Sequence, residues 1–122
     1  MQMSKSTLVI GASENTSRYS AQAIQMLQEY KHKVYAIGGR PGEVHGLSFG
    51  NEQLDLTDVD TVTLYINPSI QPLYYDYVID LKPSRVIFNP GTENTEFVRK
   101  LVDHKISYEH ACTLVMLRTG QF

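Results

Sequence analysis

An α/β fold, a three-layer Rossmann-like parallel sheet with helices on both faces, is predicted by three observations. Short β-branched and apolar runs alternate with segments of helical period along the whole chain. The connections between successive apolar runs are helix-length, which demands parallel pairing through right-handed crossovers. Glycine, proline and asparagine gather where those runs end, at the edge where open α/β sheets bind their ligands.

Each element follows from its residues. Thr7–Ile10 is a buried strand that breaks at Gly11-Ala12-Ser13. Tyr19, Ala23, Ile24, Leu27 and Tyr30 then recur at helical spacing as a sheet-facing stripe, with Ser17 or Asn15 as the expected cap. Lys31-His32-Lys33 closes that helix with cations at its negative end. Val34–Ile37 is a second strand, stopped by Gly38-Gly39-Arg40-Pro41-Gly42. Gly46–Phe49 reads as a brief strand, and 54–59 as holding a turn of helix. Thr61–Ile66 is a strand ended by Asn67-Pro68.

Ile70, Leu73, Tyr74, Tyr77, Val78 and Leu81 keep a helical period without a miss. Tyr75 falls off that stripe and is expected to project outward, which suits a homo-oligomer, a partner enzyme subunit or an adenine ring. Arg85–Phe88 is the next strand, closed by Asn89-Pro90-Gly91. Phe97, Val98, Leu101 and Val102 mark a helix that starts at Thr92 or Asn94. Ile106–Glu109 is a last short strand, and Cys112–Leu117 a final helical turn.

The totals exclude several classes. A chain of 122 residues is expected to form one domain, 1–122, with a core that needs no staples. A net charge of −2 gives no sign of a nucleic-acid or membrane-surface partner. The lone Cys112 excludes an internal disulfide and fits a reducing cytoplasm. Residues 1–7 hold one lysine and no apolar core, so no signal peptide is read there. No run approaches the roughly 20 apolar residues that span a bilayer.

Catalytic constellations are also not found. His32, His45, His104 and His110 have no i, i+4 pairing and Cys112 has no partner cysteine, so no metal is expected. There is neither a Gly-x-Ser-x-Gly elbow nor a Gly-x-x-x-x-Gly-Lys-Ser/Thr loop. Glu93 reads as a carboxylate at a helix start. Cys112 reads as a structural cysteine, or as a thiol able to form a mixed disulfide with a thiol-bearing cofactor. No catalytic residue is assigned.

Four loops converge on the carboxyl edge of the predicted sheet: 11–18, 38–42, 67–69 and 89–93. The first follows a strand and opens a helix, whose free amides and positive dipole end suit a diphosphate. It departs from the Gly-x-Gly-x-x-Gly fingerprint, because Ser13 and Thr16 replace the second and third glycines. No acid ends the second strand; Arg40 stands just beyond it. A guanidinium there pairs with a phosphate on the ribose, as carried by coenzyme A and NADP. Arg18, at a helix start where a cation is disfavoured without an anion, is the other candidate ligand.

In their order and spacing, Gly11-Ala12-Ser13, Ser17-Arg18-Tyr19-Ser20, the glycine turn with Arg40-Pro41, and Asn89-Pro90-Gly91-Thr92-Glu93 resemble the small CoA-binding-domain proteins. These are similar to the amino-terminal domain of the succinyl-CoA synthetase alpha subunit, and the likeness runs from Thr7 to about Leu117. The resemblance implies coenzyme A or acyl-CoA as cofactor. Gly11, Ala12, Ser13 and Arg18 would meet the phosphates, with Ser17 and Tyr19 beside them. Gly39, Arg40 and Pro41 would flank the adenosine end. Asn67 and Pro68, then Asn89, Pro90 and Gly91, would line the pantetheine path. The synthetase's active-site histidine belongs to a second domain not in this chain, so a non-enzymatic binding module is expected. An NADP-dependent oxidoreductase and an interaction domain with a degenerate pocket are the alternatives.

Overall fold

The structure is a computed structural model that describes residues 4–122; residues 1–3 of the segment read for a leader lie outside it. Five parallel strands form the central sheet: β1 (Thr7–Ala12), β2 (Val34–Gly38), β5 (Thr61–Leu64), β6 (Arg85–Phe88) and β7 (Ser107–His110). Their spatial order is β2-β1-β5-β6-β7. Helices α1 (Tyr19–Glu29), α2 (Tyr75–Leu81), α3 (Thr95–Asp103) and α4 (Thr113–Arg118) connect or follow them. The α/β Rossmann-like fold is therefore present, and the chain reverses its direction of winding between β1 and β5.

Two apolar clusters hold the layers. Val9, Ala36 and Ile87 point to one face and pack on Ala21, Ile24 and Leu27 of α1 and on Met116 and Leu117 of α4. Leu8, Ile10, Val62, Leu64, Val86 and Phe88 point to the other, against Tyr75 and Val78 of α2 and Phe97 and Leu101 of α3. This alternation is the period-2 consequence of a strand, and each fully buried Leu or Ile contributes about 1.5–3 kcal/mol.

Four expectations are corrected. Of the residues expected in the α1 stripe, Ala23, Ile24 and Leu27 are buried, with Ala21 beside them; Tyr19 is 71% exposed and Tyr30 lies at the surface, because both sit at the helix ends. Neither Ser17 nor Asn15 caps α1. The Asn15 side chain instead accepts from the Ser17 N–H (3.0 Å) and hydroxyl (2.7 Å) one turn earlier. The third correction concerns residues 54–59, while the brief strand expected at Gly46–Phe49 is present as Leu47–Phe49. Gly42–Val44 forms β3, which pairs antiparallel with β4 (Leu47–Phe49) through a His45-Gly46 turn with both φ positive. Residues 54–59 stay irregular, tied down where the Leu54 carbonyl accepts from Tyr77 and Asp58 from Tyr35.

The fourth correction is Tyr75. A 3₁₀ turn, Gln71–Tyr74, precedes α2. It winds with three residues per turn rather than 3.6, which shifts the phase of the apolar stripe. Leu73 is left 74% exposed, whereas Tyr75 is 7% exposed and packs on Phe97 with ring centroids 4.6 Å apart. The outward tyrosine that was to suggest an interface is a core residue.

Candidate functional site

The carboxyl ends of the paired parallel strands β1 and β5 lie side by side where the strand order reverses, and a cleft of about 470 Å³ opens there. Gly11, Ser13, Arg18 and Tyr19 line one wall, Tyr65, Ile66 and Asn67 the second, and Pro90, Gly91 and Thr92 the third. Gly11 makes this approach feasible. Its φ is +108°, the β1–β2 register breaks beside it, and a Cβ there would lie 2.8 Å from the Tyr65 carbonyl oxygen.

Helix α1 begins at this cleft without a side-chain cap. Arg18 occupies the N-cap position, no acidic residue stands in the first turn, and the amides of Tyr19, Ser20 and Ala21 find no acceptor among the described residues. Three N–H groups and a guanidinium therefore present positive charge to one spot. The loop before it satisfies itself locally: Ser13 Oγ accepts from the Asn15 N–H (3.1 Å), and the Arg18 N–H donates to the Asn15 carbonyl (3.0 Å).

A second cleft of about 340 Å³ continues from the first through Ser13, which lines both. Ala12, Gly39, Arg40, Pro41 and Phe49 form it, so the glycine turn after β2 stands beside the opening loop as its sequence suggested. Glu14 also lines this cleft, with its carboxylate accepting from the Glu43 N–H (3.3 Å). A third cleft, of about 320 Å³, lies between α1 and α4 and shares Tyr19, Tyr65 and Pro90 with the first. Cys112 lines it.

Most of the residues singled out in the sequence thus meet on one edge, with exceptions. Ser17 and Pro68 line none of the three clefts. Asn89 borders the third, yet its side chain is committed to the frame. Its Nδ2 donates to Thr63 Oγ1 (2.7 Å) and the Leu64 carbonyl (2.9 Å), and its Oδ1 accepts from the Thr113 N–H (2.9 Å). Asn67 lines the first cleft while its Oδ1 accepts from the backbone N–H groups of Ser69 (3.0 Å) and Ile70 (3.2 Å) and from the Ser69 hydroxyl.

Sequence reasoning missed two contributors. Gln71 is fully buried and staples two walls together: Nε2 donates to the carbonyls of Ile66 (3.0 Å) and Thr92 (2.7 Å), and Oε1 accepts from Asn94 (2.9 Å). Nothing in a polar residue between Ile70 and Pro72 signals this. Tyr65 was read only as part of a strand; its place at the strand's carboxyl end was the available signal. Its hydroxyl is buried without a hydrogen-bond partner, and that burial raises its pKa far above the phenolic range, with the nearby Thr113 and Thr63 hydroxyls weighing the other way.

The sequence model of the CoA binding domain family matches residues 5–118, nearly the whole of the chain that builds these clefts. The chain belongs to the CoA binding domain family. Solved structures agree on the architecture of this CoA binding domain. A crystal structure of an uncharacterised protein is 45% identical with a TM-score of 0.96, covering 99% of this chain and 100% of that one. A Thermus thermophilus protein is 23% identical with a TM-score of 0.84, covering 98% of this chain and 91% of that one. A dinucleotide-forming acetyl-coenzyme A synthetase from Ca. Korarchaeum cryptofilum, in complex with phosphate and ADP, is 19% identical with a TM-score of 0.73; 88% of this chain corresponds to 25% of that one. The last two likenesses are of fold. No functionally curated protein matches, and no helix among the described residues is long and apolar enough to cross a membrane.

Proposed function

We propose that this CoA binding domain holds coenzyme A, free or acylated, across the first two clefts and acts as a binding module rather than as an enzyme. The uncapped start of α1, with Arg18 at its N-cap beside Gly11, carries the reading. Open amides and a cation at a topological switch point form a diphosphate site. The diphosphate rests against Gly11, Ser13, Arg18 and the amides of Tyr19 and Ser20. Arg40, with Gly39 and Pro41, takes the ribose phosphate in the second cleft, which a diphosphate reaches through Ser13. The pantetheine arm runs past Asn67, Pro90 and Gly91, over the frame set by Asn89. A reducing cytoplasm is the compartment in which Cys112 stays a thiol.

Calorimetric titration with coenzyme A, dephospho-coenzyme A and NADP tests this. Coenzyme A is expected to bind, and removal of its ribose phosphate to weaken binding about tenfold through the lost charge-assisted bonds to Arg40. Heat with NADP alone would replace the reading by an oxidoreductase. No heat with any of the three would leave an interaction module.

A further inference from the structure

We propose that the third cleft, between α1 and α4, receives the acyl group of a coenzyme A thioester, and that Arg118 selects acyl groups that end in a carboxylate. The inference rests on the coenzyme A reading and extends it past the thiol. Continuity comes first. Tyr65 and Pro90 belong both to the first cleft and to this one, so a chain following the pantetheine path reaches the α1–α4 cleft without crossing the sheet.

The wall chemistry fits a short carbon chain. Leu114 and Val115 join Tyr65 and Pro90 in the lining, and Val115 is half exposed. Arg118 then supplies the charge. It is the only ionised side chain that lines the cleft, no carboxylate stands with it, and neither of the two ion pairs among the described residues involves it. An open cleft with an apolar wall and one exposed, unpaired guanidinium is complementary to a chain with a terminal anion. Gln22, across the cleft, is uncharged and leaves the charge of Arg118 as it stands; its amide nitrogen donates to the Ser17 carbonyl (3.1 Å).

Binding of matched thioester pairs tests the proposal: propionyl- with malonyl-, butyryl- with succinyl-, and valeryl- with glutaryl-coenzyme A, measured beside free coenzyme A. At one chain length the carboxylated member is expected to bind about two- to fivefold tighter, the range for a partly solvated ion pair, and the preference should fade with added salt. Arg118→Leu should bring that ratio to one, while Arg118→Lys keeps most of it. Val115→Trp, which fills the cleft from its open side, should lower the affinity of every acyl thioester relative to free coenzyme A. No preference at any length, or one that survives Arg118→Leu, overturns the carboxylate selection. An unchanged acyl-to-free ratio in Val115→Trp overturns the cleft itself. If free coenzyme A fails to bind the wild type, the underlying reading falls, and this inference with it.

Discussion

Two helices begin at the same edge of the sheet and treat their first amides in opposite ways. At α3, Asn94 accepts from the Phe97 N–H (3.1 Å) and Glu96 stands in the first turn, so the donors and the dipole are answered from within the chain. At α1 the side chains that might do this are turned away, no acid is present, and a cation occupies the cap. The α3 start is a finished structural joint. The α1 start leaves a deficit of negative charge that folding does not correct, and in the proposed function the cofactor's diphosphate answers it.

Reversing that asymmetry gives the largest expected effect. Arg18→Asp installs a cap and removes the cation, so coenzyme A affinity should fall about 100-fold while the free protein gains about 1 kcal/mol. Paired calorimetry and thermal melts separate the two. Gly11→Ala comes next, because the new Cβ meets the Tyr65 backbone at a φ that side chains rarely adopt. A stability loss of about 2 kcal/mol with weakened binding is expected in denaturant titration. Asn94→Ala should cost about 1–2 kcal/mol, since Phe97 loses its acceptor and Gln71 and Tyr75 lose a donor, yet leave binding within about twofold.

The smallest effect lies far from both helix starts. His32 is buried beside Phe122 and accepts from the Lys5 N–H (2.9 Å). Burial, then Lys5 and Arg85, lower its pKa from 6.5, against an opposing pull from Asp60. The unfolded chain therefore takes up a proton that the folded one resists. This stability is fully present above about pH 6.5 and is lost as the pH falls below it. Melting temperatures across that range should decline less steeply in His32→Gln than in the wild type.

Much of this was legible in the sequence because it follows from period and from chain breaks. All five sheet strands are apolar runs cut by glycine, proline or asparagine, or short runs such as Ser107–His110 that follow a helix. The loops of the site were legible for the same reason, since a strand end in a parallel sheet is also a ligand edge. What escaped depends on contacts distant in sequence. The 3₁₀ turn at Gln71–Tyr74 exchanges the exposures of Leu73 and Tyr75, and a local helical period carries no sign of it. Gln71 and Asn89 work through partners 5 to 26 residues away, so their roles become visible only when the walls meet. The absent cap at α1 was hidden by Ser17 and Asn15, either of which has the chemistry to fill it.

The most direct measurement follows the backbone amide resonances of the folded protein during titration with coenzyme A. The account predicts the largest shifts at Gly11, Tyr19, Ser20 and Ala21, with small changes at Phe97 and its neighbours at the capped start of α3. Shifts centred away from α1, or equal at the two helix starts, would contradict it.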